Sequence, residues 1–205
     1  MSDLIYIVDP AKKVPQKIEP VSFSDLGIKE RKDMQELIIA HPELLGEDLL
    51  VITSEFDRFD KSNRRLDILA LDSDGVLVII ELKLDANRTL ADLQAIRYAA
   101  FCSTMIMEDV VNLYARFKNI KFEDASENIC EFLKKDDLPQ LNSRPRIILA
   151  AGSFDDQELT SSVLWLRNFD IDISCIELTP YRLPENNQII LVPRIIIPPP
   201  EAKDF

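Results

Sequence analysis

Asp67 and the tripeptide Glu81-Leu82-Lys83 sit in two apolar runs that read as neighbouring strands, RRLDILAL over 64–71 and VLVIIELK over 76–83. Side chains alternate across a strand, so Leu77, Ile79, Glu81 and Lys83 share one side of the second run, as Asp67, Leu69 and Leu71 do in the first. Between the runs, Asp72-Ser73-Asp74-Gly75 has turn chemistry, with Gly75 able to take positive φ, which predicts a hairpin. Such a hairpin can bring the two carboxylates together beside the Lys83 ammonium, where like charges repel unless a cation sits between them. Carboxylate oxygens suit Mg²⁺ or Mn²⁺, whereas the chain offers zinc a single histidine and no paired cysteines. A lysine two residues from a metal ligand can orient or help deprotonate a water while the ion stabilises charge on a phosphate, which is hydrolytic phosphodiester chemistry. The same residues also fit a plainer arrangement, polar groups at the solvated ends of strands joined by a salt bridge.

Positioning these groups requires an ordered sequence of elements. Residues 1–22, with Pro10, Pro15 and Pro20, read as an extended lead-in with an edge strand at Leu4 to Val8. A first helix follows in SFSDLGIKERKDMQELIIAHPELLG, where Glu30, Met34, Leu37, Ile38 and His41 fall on one face and Pro42 marks the end. Strands are predicted at 50–56, 64–71 and 76–83, and helices at about 88–102, 108–117 and 125–135, the last with Ile129, Phe132 and Leu133 on one stripe. A loop at 136–145 leads to a strand at 146–152, apolar enough to be buried on both faces. A helix at about 155–168 and strands at 171–179 and 188–195 complete an α/β arrangement, a mixed sheet flanked by helices. Residues 23–197 form one domain in this reading, and 198–205 a proline-rich tail.

The run RRLDILALDSDGVLVIIELK followed by LADLQAIRYAA resembles the nuclease core of the PD-(D/E)XK superfamily, in particular NucS-type and related RecB-like nucleases. The likeness is clearest over residues 28–102. It implies a restriction-endonuclease-like fold and Mg²⁺- or Mn²⁺-dependent hydrolysis of DNA phosphodiesters. It also makes Asp67 and Glu81 metal ligands, Lys83 the catalytic lysine, and Gln94 and Tyr98 the helix residues that approach the metal or the scissile phosphate. The family further places a glutamate on the first helix near the site. Helical periodicity favours Glu30, on the Met34/Leu37/His41 face, over Glu36, which points about 120° away. NucS-type enzymes carry a separate N-terminal DNA-binding domain that residues 1–22 are too short to provide, so mismatch specificity is not carried over.

Composition narrows the classes around this reading. The 205 residues are 46% hydrophobic and 29% charged, which excludes disordered and fibrous classes and leaves one globular unit. With no apolar run long enough to span a bilayer and no signal-peptide stretch in the first 25 residues, a cytoplasmic protein is expected. Cys102, Cys130 and Cys175 stand apart among apolar neighbours and read as reduced packing residues. His41 reads as a cap or core residue, Trp165 as core, and Arg97 as solvated charge. Arg64 and Arg65 precede the Asp67 strand and could touch a DNA backbone or be solvated charge. A net charge of −12 opposes sequence-independent binding to nucleic acid, so attraction must come from a local basic patch or bound cations. That charge keeps a second reading open, in which the chain is a catalytically inactive nuclease-fold module for nucleic-acid or protein binding, working through a partner or as a homo-oligomer.

Overall fold

A computed structural model describes residues 4–56, 65–83, 91–184, 186 and 188–199, without the side chains of residues 30, 31 and 91–93. The chain forms a mixed sheet with helices on both faces, the α/β class expected from the sequence. In chain order the elements are β1 (Ile5–Asp9), β2 (Val14–Ile18), α1 (Gln35–Ala40), β3 (Leu49–Phe56), β4 (Leu66–Asp72), β5 (Leu77–Lys83), α2 (Ala91–Cys102), α3 (Met107–Lys118), α4 (Phe122–Leu133), β6 (Arg146–Ala151), α5 (Gln157–Arg167), β7 (Ile173–Arg182) and β8 (Ile189–Ile197). A six-stranded sheet runs β3-β4-β5-β6-β7-β8, antiparallel through β3, β4 and β5, parallel through β5, β6 and β7, and antiparallel again at β8. No helix among the described residues is long and apolar enough to cross a membrane.

Every residue of β4 is buried, and all of β5 except Lys83, because these central strands are covered on both sides. On one side, Leu69, Leu71, Leu77 and Ile79 pack with Tyr98, Val110, Ile129 and Val163 from α2, α3, α4 and α5. On the other, Ile68, Ala70, Val78 and Ile80 pack with Met34 and Ile38 beside α1. Strand periodicity thus sorts each run into two cores, and both must be filled before the sheet is stable.

The hairpin between β4 and β5 forms through its turn chemistry. Asp72 accepts the Gly75 N–H on its main-chain oxygen at 3.0 Å, while its Oδ1 accepts the N–H groups of Asp74 and Val76 at 3.0 and 2.8 Å. Gly75 takes φ +82°, which a side chain would resist. The free oxygen edge of this turn is tied across the sheet, since Asp72 Oδ2 accepts Arg146 at 2.7 Å. The same guanidinium holds Glu47 at 2.6 Å and lies 3.4 Å from Asp172, so one cation joins the starts of β3, β6 and β7 to the end of β4.

Two expectations about the lead-in and first helix are corrected. The extended strand near Leu4 is one arm of a separate antiparallel ribbon, because Ile5 to Asp9 pairs with Val14 to Ile18 despite Pro15, a residue tolerated at an unpaired edge. The first helix, expected within SFSDLGIKERKDMQELIIAHPELLG and ending at Pro42, is short and two-part: residues 30–34 form a π-turn, with Met34 N–H on Lys29 O at 3.2 Å, before α1 begins. A π-turn advances the helix by more residues per turn, so the 100° step used to assign faces fails there. Met34, Gln35 and Ile38 are the buried residues, while Leu37 and His41 face outward. His41 caps α1 and pairs with Glu43 at 3.1 Å, so it is a cap and not a core residue. Trp165 is also not core: it is 60% exposed and packs against Phe169, with ring centroids 4.7 Å apart.

Replacing Arg146 by methionine should lower stability by roughly 3 kcal/mol, because three carboxylates would then face one another without their shared cation. Its ion partners push the Arg146 pKa upward, so its contribution is fully present below the ordinary arginine range and is lost only above it. Urea melts of wild type and Arg146→Met at neutral pH test this, and equal midpoints would contradict it.

Candidate active site

The register of β4 on β5 runs from Leu71↔Leu77 to Ile68↔Ile80. Beyond it the strands part, and β5 continues along β6 alone, through Glu81↔Leu149, Leu82↔Ala150 and Lys83↔Ala151. A parting of buried strands leaves main-chain donors in need of acceptors. The Asp67 side chain meets that need, with Oδ2 accepting the Leu82 N–H at 2.9 Å. The carbonyl oxygen of the same peptide unit's residue, Leu82 O, accepts Lys83 Nζ at 2.8 Å, and Lys83 Nζ also donates to Glu81 Oε1 at 3.3 Å. Asp67, Glu81 and Lys83 therefore meet around Leu82. Both carboxylates are 1% exposed, while the Lys83 side chain is 23% exposed.

From α2, Gln94 reaches over Glu81. Its Nε2 donates to Glu81 Oε1 at 2.7 Å and to the Tyr98 hydroxyl at 3.1 Å, a pairing permitted by the four-residue spacing on one helix face. Tyr98 is 3% exposed and belongs to the core, so its ring anchors α2 while its hydroxyl fixes the Gln94 amide. Arg97 is exposed on another face, as expected. The structure thus brings Asp67, Glu81, Lys83, Gln94 and Tyr98 together.

Other expected positions lie elsewhere or outside the description. The Glu30 side chain is outside the described residues, as is Arg64, while Glu36 is exposed. Arg65 lies 3.7 Å from Glu55, an ion pair across to β3. Among the described residues there is no group of three or more acidic, histidine or cysteine side chains able to hold a metal, so Asp67 and Glu81 form a pair. Gln35 was not singled out from the sequence. It is 3% exposed and its Nε2 donates to Asp67 O at 2.8 Å, tying α1 to the strand at the residue whose carboxylate receives Leu82. Its signal was available in principle: Gln35 adjoins the apolar Met34 and Ile38, but one amide in an amphipathic helix looks like surface.

The cysteines behave as packing residues. Burial pushes the thiols of Cys102 and Cys175 up to about 12, so both stay protonated near neutral pH, and all three cysteines are free.

Comparison with known proteins bears on these residues. A family model described as the endonuclease NucS C-terminal domain matches residues 30–123, fewer than half of the chain but including all five residues that meet around Leu82. Among curated proteins none matches. The solved structure of an EndoMS–dsDNA2 complex aligns at 19% identity and a TM-score of 0.34, covering 70% of this chain and 43% of that one. The chain thus spans less than half the length of that neighbour.

Two outcomes follow from this geometry. Gln35→Leu should cost about 1–3 kcal/mol by leaving the buried Asp67 carbonyl without its donor, read as a lower denaturation midpoint; an unchanged midpoint would show that the bond is dispensable. A thiol reagent at pH 7.5 should modify Cys102 and Cys175 in the native protein only as fast as the protein unfolds. Rapid modification of either residue would contradict its protected, protonated state.

Proposed function

We propose that this protein is a metal-dependent deoxyribonuclease. The observation that carries the reading is the meeting of Asp67, Glu81 and Lys83 on the two polar groups of Leu82, where β4 and β5 part. Support comes from the position of that cluster within the stretch similar to the endonuclease NucS C-terminal domain. DNA as the polymer follows from the resemblance of the strand pair and α2 to the PD-(D/E)XK core.

The donor set fits a hard divalent cation. Asp67 and Glu81 offer carboxylate oxygens, and magnesium binds through one or two carboxylates with substrate phosphates and waters completing its shell. Asp67 and Glu81 would hold Mg²⁺ or Mn²⁺, with Glu30 proposed as a third acidic ligand from the π-turn. When bound, such an ion supplies positive charge that offsets the charge developing on a phosphate oxygen. The remaining work falls to the chain's own groups. Lys83 Nζ lies beside Glu81, where it can align an attacking water and share the phosphate's negative charge. Gln94 fixes the Glu81 carboxylate in one orientation, and Tyr98 fixes Gln94, so both act as positioning residues in the described geometry.

One observation favours a second reading, a nuclease fold that binds without cleaving. The Glu81 side chain has no exposed surface, so a ligand must displace part of its present surroundings to reach it.

The deciding experiment is cleavage of labelled single-stranded, duplex and branched DNA with Mg²⁺ or Mn²⁺ by wild type and Lys83→Ala, with melting curves alongside. Wild type should cleave. Lys83→Ala should remain folded and lose about 100-fold or more in rate, since water alignment and phosphate stabilisation are each worth that order. Undiminished cleavage by the variant would remove Lys83 from the mechanism; wild type that binds DNA but cleaves none of these substrates would replace this reading with the binding module.

A further inference from the structure

The end of the sheet opposite the candidate site carries a surface that the core does not use. Between α2 and the loops that enter β6 and β7 lies a cleft of about 650 Å³, floored by Val76, Ile147 and Ile171 and walled by Ala99, Ala100 and Phe169. Val76 stands seven residues before Lys83, about 23 Å along an extended strand, so the cleft is remote from Glu81 and Lys83. Beside it, Leu164, Trp165 and Phe169 stand out from α5 and the turn that follows, 49%, 60% and 61% exposed, with the two aromatic rings 4.7 Å apart.

Half of the charged groups of the cleft are already committed. Arg146 is held by Glu47 and Asp72, and Asp172 lies 3.4 Å from Arg146 and 3.3 Å from Arg167. The Arg144 guanidinium and the Asp170 carboxylate, both on exposed residues of the lining, have no ion-pair or hydrogen-bond partner among the described residues. The neighbouring face of α5 is uncharged, since residues 159–166, LTSSVLWL, contain neither acid nor base. That matters in a chain of net charge −12, whose copies repel wherever carboxylates meet.

We infer that two copies of the chain meet on this face, about a two-fold axis beside Phe169, with Leu164 and Trp165 of each copy seated in the cleft of the other. A two-fold contact requires one patch to be complementary to itself. Here the same patch offers a projecting aromatic pair next to an apolar hollow, and an unpaired arginine next to an unpaired aspartate. One rotation satisfies both, with Arg144 facing Asp170 of the partner subunit on either side of the axis. The three projecting side chains leave on the order of 300 Å² of apolar surface in water, and the cleft lining brings each copy toward the roughly 800 Å² per partner of a specific interface. Trp165 has the character of a hot spot, a large ring entering a pocket that the contact seals from water. Glu81 and Lys83 of both copies stay clear of the contact.

The test is sedimentation velocity over a concentration series for wild type, Trp165→Ser, Phe169→Ser, Arg144→Glu, Asp170→Lys and the double variant Arg144→Glu/Asp170→Lys, with melting curves to show which are folded. Wild type should pass from monomer to dimer as concentration rises, and the emission of Trp165, the one tryptophan of the chain, should move to shorter wavelength in step. Trp165→Ser should raise the dissociation constant about 30-fold or more, the loss of a hot-spot side chain, and Phe169→Ser serves in its place if that variant proves unfolded. Each single charge reversal should raise the constant several-fold by setting like charges opposite one another. The double variant restores the pair in reverse and should recover most of the wild-type affinity. A wild type that stays monomeric throughout would overturn the inference. So would a dimer indifferent to both aromatic substitutions, which would join through another surface, and so would a double variant that binds no better than the single ones.

Discussion

The arrangement around Leu82 depends on one hydrogen bond, from the Leu82 N–H to Asp67 Oδ2. A strand pair in a doubly covered sheet cannot simply stop, because each main-chain donor it releases is buried away from water and costs on the order of 1–3 kcal/mol if unmatched. Here β5 loses its antiparallel partner β4 while keeping its parallel partner β6, and the Asp67 carboxylate replaces the lost main-chain acceptor. The strands can then diverge. A carboxylate in that position is structural, and the neighbouring alternation brings Glu81 and Lys83 to the same point.

Supports for this bond come from both layers. Gln35 of α1 holds the main-chain oxygen of Asp67 from one face, and Gln94 of α2 holds Glu81 from the other. Arg146 fastens the far end of the same strands by joining Asp72 to Glu47 and Asp172. The charges are thereby separated by role: one arginine locks the start of the parallel strands, while Lys83 and the acids occupy their ends.

Much of this was legible in the residues. Period-two alternation in Asp67–Leu71 and Leu77–Lys83, with Asp72-Ser73-Asp74-Gly75 between them, fixed the hairpin and the face shared by Asp67 and Glu81, because burial on both sides leaves the register little freedom. The four-residue step from Gln94 to Tyr98 was equally readable. Other features were not. The π-turn at 30–34 changes the angular step that was used to prefer Glu30, and nothing in ERKDM announces it. Gln35 gave no sign, because a buried amide is recognisable only once its acceptor is known. Trp165 was read as core on hydrophobicity alone, although an aromatic pair can shield itself partly at a surface. Pairing of β1 with β2 depended on a contact across Pro10 to Lys13 that strand composition around Pro15 argued against.

The central claim is that Asp67 and Glu81 are a cation site and not only the acceptors of local hydrogen bonds. Isothermal titration of Mn²⁺ into wild type, Asp67→Asn and Glu81→Gln tests it most directly, since these amides preserve shape and require no choice of DNA substrate. The account predicts saturable binding of Mn²⁺ to wild type and its loss in both folded variants. Equal binding by all three proteins, or no binding by wild type, would contradict it.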